Sequence, residues 1–523
     1  MAPRARSLPR LLFAVALVLL GAGAFLVSTA YDNDPQATVG TDPAIDARAA
    51  DPADLSANNS PTLVRSPVDA RRLAVANRVD LPRFSCALHV SSDGGESWSK
   101  ARIPLPRGEG GKCYAPDLAY GADGTLYVSF VTLRGPGNVP HAAWISRSRN
   151  GGRSLSRPVK ALGPLSFQVR LAADPDRPGR LYLTWVRGAD VALYKFTTTR
   201  NPIVAARSDD GGRSFRKPVR VSDAARRRVV APSPVIGPRG ELYVLYLDLG
   251  GDRLDYEGLH EGRGGPPYKG AWKLVLARSR DGGRNWQESV VSSKLAPTER
   301  FIVFIPPFPS LAVDRKSGRL YAAFEDGGLG DPDVLVWSRG RKDEGWSDPV
   351  RVNDTPERDG RAQYRPALSV APGGRLDVVY YDRRSDPTNV RNEVSLQSSY
   401  DAGASFRPRL RLSDRGFDSR IGFGSERDMT DLGSRLALLA TDADALAVWT
   451  DTRSGSRVTG KQDLVRAGVA FSDPARLPGP LDLVLRYGGP ALALAGVLVL
   501  VALLRHRRRG EDPPRPKSTG TPA

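Results

Sequence analysis

The chain is poor in the residues that most often carry metal and redox chemistry. Its 523 residues include only 2 cysteines, 2 methionines and 4 histidines. His89, His141, His260 and His506 stand far apart, with neither an H-E-x-x-H nor a C-x-x-C spacing. Zinc hydrolysis therefore lacks its ligand pattern. G-x-S-x-G is absent, which removes the sequence mark of a serine nucleophile at a strand-to-helix elbow. The full phosphate-loop pattern G-x-x-x-x-G-K-[ST] is absent too, since the run Gly455 to Lys461 is followed by Gln462, so no phosphate-cradling loop is indicated. No metal and no cofactor is expected.

Acidic residues are outnumbered, 57 Asp and Glu against 76 Lys and Arg, for a formal net charge of +19. A surface so basic attracts anionic glycans, envelope polymers or lipid headgroups. Aromatics make up 7% and do not interleave with a basic stripe, so nucleic acid is not expected as a partner.

Long apolar runs are confined to the two ends. Residues 1–30 combine Arg4, Arg6 and Arg10 with LLFAVALVLLGAGAFLV and then Ser28-Thr29-Ala30. This reads as a signal peptide cleaved after Ala30, with an uncleaved N-terminal anchor as the alternative. Residues 481–504 read as a transmembrane helix, closed by Arg505, His506, Arg507, Arg508 and Arg509. A cationic cluster there places the tail 505–523 in the cytoplasm and the remainder outside, a single-pass arrangement with a monomeric ectodomain. In an exported domain the pair Cys86 and Cys113 suggests one disulfide, two buried thiols being the alternative. Residues 31–60, rich in Asp, Ala and Pro, read as a flexible linker.

Glycine (53) and proline (43) are plentiful, and they punctuate a repeat. SSDGGESW begins at Ser91, SRNGGRSL at Ser148, SDDGGRSF at Ser208, SRDGGRNW at Ser279 and SYDAGASF at Ser399, with a degraded copy at Ser338. Between them lie strings such as PDLAYGADGTLYVSF from Pro116 and PALSVAPGGRLDVVY from Pro366, each a strand, a turn and an alternating strand. Four antiparallel strands per unit, recurring at a steady period, make an all-β propeller over residues 61–479. Seven strand-pair motifs, from Pro61 to Asp431, predict seven blades, with six plus an irregular end as the alternative. The last blade stops after its third strand, so a strand from the N-terminal segment is expected to complete it.

In each repeated turn the acid or amide (Asp93, Asn150, Asp210, Asp281, Asp401) can accept backbone N–H bonds, while glycine takes a positive φ. The role expected is structural. One carboxylate per loop is too few for calcium.

Function is expected on the opposite face, where the strand 2–3 loops converge. Asp248, Asp326, Asp382 and Asp451 recur two residues past an aromatic, with Glu325 beside them, and Arg78, Arg187, Arg383 and Arg453 lie nearby. Bidentate arginines could grip a carboxylated sugar. A network of ion pairs between blades is the other reading. The longest loop, Gly250 to Gly270, adds Tyr256 and Glu257 as ligand-binding candidates.

The repeated turns resemble the Asp-box of the sialidase and bacterial-neuraminidase-repeat superfamily, over about residues 61–471. The resemblance implies retaining glycosidases on six-bladed propellers, with an arginine triad, a Tyr–Glu nucleophile and an Asp acid/base. Asn59 stands where the family's F-R-I-P motif has arginine. Met429-Thr430-Asp431-Leu432 stands where Y-S-x-L has tyrosine. The reading is therefore a cell-surface propeller that binds or scaffolds anionic glycans, envelope polymers or a surface protein. The alternative is a sialidase-like hydrolase working through Glu325, Asp382 and Asp451.

Overall fold

In the computed structural model the residues described are 7–31, 36–190, 200–252, 268–298, 307–342, 345–422, 432–472 and 479–509. Two units are distinguished: the propeller, Val39–Ala470, and a terminal unit of Met1–Thr38 with Phe471–Ala523.

The propeller consists of seven antiparallel sheets, as the repeat predicts. The first strands of the sheets are Asn58–Arg65, Cys113–Tyr120, Ser166–Ala173, Val229–Ile236, Ser310–Val313, Gln363–Val370 and Ala437–Ala440. Each touches the first strand of the next blade, and the seventh touches the first, so these strands form a closed ring about the axis. Second strands such as Leu242–Asp248 are buried along their whole length, because both faces of a blade meet a neighbouring sheet. The sixth sheet carries an extra short strand, Phe417–Asp418, paired with Arg391–Ser399.

Ring closure uses both ends of the propeller sequence. The seventh sheet takes its outer strand from Gln36–Val39, beside Asp463–Ser472. The same segment continues with Gly40 N–H donating to Gly468 O (2.8 Å) and Ile45 N–H to Leu464 O (2.8 Å). Ser434 N–H donates to Ser60 Oγ at 2.9 Å, joining blade seven to blade one. Residues 31–60, expected as a flexible linker, are in large part built into the fold. Ile45 is buried in the core, Ala47–Ala50 form a 3-10 turn, and Asn58, Asn59 and Ser60 open the first inner strand. Composition misleads there because few apolar residues are needed when a neighbouring strand supplies the hydrogen bonds.

The repeated turns do mechanical work between sheets. In each, the serine hydroxyl donates to the acid or amide two residues on, as from Ser279 to Asp281 Oδ1 (2.9 Å). The same hydroxyl accepts the glycine amide four residues on, as from Gly283 (2.9 Å). The apolar residue that follows enters the space shared with the preceding blade. Trp98, Leu155, Phe215, Trp286, Trp346 and Phe406 each pack on a cluster drawn from two adjacent sheets. A wedge-shaped gap between twisted sheets is filled by one bulky group per blade. Cys86 and Cys113 form a disulfide between the third strand of blade one and the first strand of blade two.

In the terminal unit two helices among the described residues are long and apolar enough to span a membrane. They are α1, Ser7–Tyr31, and, after a short α2, Gly479–Leu483, and a π-turn, the helix α3, Gly489–Arg509.

Candidate axial binding site

Five inner strands share an irregularity that sequence patterning did not single out. Their pairing slips between Asn59 and Thr62, Tyr114 and Asp117, Phe167 and Arg170, Val230 and Ser233, and Tyr364 and Ala367. Each slip contains a non-glycine residue at positive φ: Ser60 (56°), Ala115 (47°), Gln168 (52°), Ala231 (59°) and Arg365 (56°). Such β-bulges bend the strand and redirect a side chain, and the left-handed backbone costs energy for any residue but glycine. Proline follows in four of the five (Pro61, Pro116, Pro232, Pro366), which disfavours helical backbone at the preceding residue. The bulges lie early in each inner strand, away from the strand 1–2 hairpins and the repeated turns. They therefore ring the mouth of the axis on the opposite face.

The bulge residues differ from blade to blade, and arginines gather around them. Arg435 donates to Thr62 Oγ1 (2.8 Å) and to Pro116 O (2.9 Å). Arg170 Nε lies 3.2 Å from Asp117 Oδ2. The Arg170 guanidinium stands 5.2 Å from the centre of the Phe308 ring. The Phe308 amide in turn donates to Ser434 O (3.2 Å). Blades three, five and seven are not neighbours, so these contacts cross the axis. Arg78 donates to Tyr114 Oη (2.7 Å) and Asp80 Oδ2 (2.7 Å). Burial, with Arg170 and Arg78 close by, pushes the Arg435 guanidinium down to about 9.

Arg365 is the exception to this pairing. It is 1% exposed, and none of its three guanidinium nitrogens has a hydrogen-bond partner among the described residues. Its guanidinium lies 5.7 Å from the ring centres of both Tyr364 and Tyr381. Glu325 accepts the Arg365 backbone amide (2.7 Å) and Thr298 Oγ1 (3.3 Å), and burial pushes its carboxyl above the usual range. Four guanidinium groups (Arg78, Arg170, Arg365, Arg435) thus stand near three carboxyls (Asp80, Asp117, Glu325), and Glu325 feels the charge of Arg365. A buried guanidinium whose donors are unmet is costly, and an anion that accepted their hydrogen bonds would remove that cost.

The residues picked out in the sequence divide between pairing and this mouth. The recurrent acids each accept the amide two residues on: Asp248 from Gly250 (3.1 Å), Asp326 from Gly328 (2.7 Å), Asp382 from Arg384 (3.0 Å) and Asp451 from Arg453 (2.8 Å). This is an Asx-turn that starts the strand 2–3 loop. Three also hold an arginine, Asp248 with Arg226 (2.8 Å), Asp382 with Arg384 (2.6 Å) and Asp451 with Arg453 (3.0 Å). Arg453 further pairs with Asp42 (2.8 Å) and Asp414, tying the N-terminal segment to blade seven. Arg383 spends its donors on Asn392, Asn389 O, Tyr364 Oη and Ser419. Arg187 is exposed at the end of its strand. Tyr256 and Glu257 fall outside the described residues, as do Met429, Thr430 and Asp431. Of the named candidates, Arg78 and Glu325 are brought to the mouth.

Arg170, Arg365 and Arg435 were not anticipated. A signal existed: aligning the inner strands puts Ser60, Ala115, Ala231 and Arg365 before proline, and arginine is the outlier. No protein-family model matches the chain, and no curated protein matches it. Among solved structures, a Dyadobacter fermentans protein of unknown function is 14% identical, covering 84% of this chain and 100% of its own, with a TM-score of 0.47. An ulvan lyase is 14% identical over 82% of this chain and 93% of its own (TM-score 0.44). The Hadza microbial sialidase is 13% identical over 76% and 73% (TM-score 0.42).

Proposed function

We propose that the protein is a membrane-tethered binding module whose axial mouth takes an anionic group, with a carboxylated or sulfated glycan of the cell exterior as the ligand class. Arg365 carries the reading: it is a buried guanidinium with no nitrogen hydrogen-bonded among the described residues, flanked by two tyrosine rings. The two rings, themselves buried, flank the guanidinium, and its unmet donors are what an acid group would satisfy. The single disulfide agrees with an oxidising exterior. A hydrolytic role has less support. Asp382 and Asp451 are engaged by arginines, which leaves Glu325 without a second free carboxylate among the described residues.

The test is a glycan array on the detergent-solubilised full chain, followed by titration with the best uronate, sialate or sulfated oligosaccharide. Arg365→Ala is expected to weaken binding by about thirtyfold, the value of one charge-assisted contact of about 2 kcal/mol. Arg213→Ala, at an exposed turn on the other face, is expected to change nothing. Equal loss in both variants, or in neither, overturns the assignment of the mouth.

A further inference from the structure

We infer that α1 is retained in the mature protein and pairs antiparallel with α3 as a two-helix membrane anchor, with both chain termini on the cytoplasmic side. Backbone packing comes first. A side chain on Gly489 would stand 2.8 Å from Gly21 O and 3.0 Å from Phe25 N, and one on Gly496 would stand 2.7 Å from Ala14 O. Gly21 in turn faces Gly489 and Ala493. The two helices therefore approach backbone to backbone through Ala14, Gly21, Gly489, Ala493 and Gly496. In lipid, where apolar side chains gain nothing by leaving the bilayer for one another, close approach of small residues is what holds helices together.

Three further observations point the same way. The pairing of residue 21 with 489 and 14 with 496 is antiparallel, so Arg10 and Arg505 fall at the same end of the pair. Cationic residues flanking both helices at one end match the charge asymmetry that fixes orientation. Ser28, Thr29 and Ala30, the candidate peptidase site, lie inside α1, which runs on to Tyr31. A peptidase cleft needs that stretch extended. Finally, the chain enters and leaves the β-structure side by side, since Ser472 Oγ donates to Gln36 O (3.3 Å). Both spans are long enough, with apolar windows of 19 residues (Pro9–Val27) and 23 residues (Val484–His506).

The test uses the full chain in host membranes. The intact mass is expected to include residues before Tyr31. Ser7→Cys and Thr519→Cys are each expected to resist a membrane-impermeant maleimide in intact cells and to react after permeabilisation. Oxidation of Ala24→Cys with Gly489→Cys is expected to link the two helices, read as a cross-linked peptide by mass spectrometry. A mature chain starting at Tyr31, or labelling of Ser7→Cys from outside, overturns the inference. If the double-cysteine variant fails to accumulate, intact mass and labelling still decide it.

Discussion

The two faces of the propeller treat repetition in opposite ways. On one, the Ser-x-Asp-x-Gly turns are nearly identical, and each keeps its polar groups within itself, as in the Ser208–Asp210–Ser214 set. On the other, the bulge position carries Ser60, Ala115, Gln168, Ala231 or Arg365 on one shared backbone conformation. Uniform chemistry marks what every blade needs in order to pack. Varied chemistry on an unvarying scaffold is what the proposed binding role would need.

The contrast can be broken by stability measurements. Trp286→Ala removes a plug between blades three and four and is expected to cost about 2–3 kcal/mol in urea unfolding, with glycan binding unchanged. Arg365→Met should do the reverse. Removing a buried guanidinium whose donors are unmet leaves stability equal or higher while binding falls, and a large loss of stability would mean that Arg365 is structural. Asp281→Ala, which deletes the acceptor for the Asn285 amide, is expected to cost about 1 kcal/mol, a value typical of a lost turn or cap bond.

The smallest expected effect is the shape of the pH profile. Hydrogen bonds outweigh slight burial at Asp210 and hold its carboxyl down to about 2, and Asp281 is held lower still by the Asn285 amide. A depressed carboxyl stabilises the fold above its unfolded value of about 4, and the contribution is lost as pH falls through about 2. Asp463 behaves oppositely, since burial raises it to about 6. Its folded form binds the proton more tightly, so stability declines as pH rises from about 4 to about 6. Asp463→Asn should flatten that decline in unfolding free energy measured across the interval. A profile without either limb would show that these carboxyls do not differ between the folded and unfolded chain.

Much of the architecture was legible before any coordinates. Blade number and turn chemistry follow from motifs a few residues long, repeated at a steady interval, while the disulfide between Cys86 and Cys113 follows from a lone pair in an exported domain and the completing N-terminal strand from a last blade one strand short. The acids past each second strand were legible as a recurrence, but their use was not. Asp382 and Arg384 are close in sequence, yet whether they face a ligand or each other depends on the loop backbone.

The mouth lay beyond local pattern altogether. Arg170 meets Phe308 and Arg435 meets Pro116 only because seven sheets close into a ring, bringing together residues 138 and 319 positions apart. The sequence alone determined the blades, because each turn satisfies its hydrogen bonds within its own few residues. Only the tertiary structure decided which arginines find hydrogen-bond partners among the described residues and which does not, because compensation in a buried site depends on every strand that surrounds it.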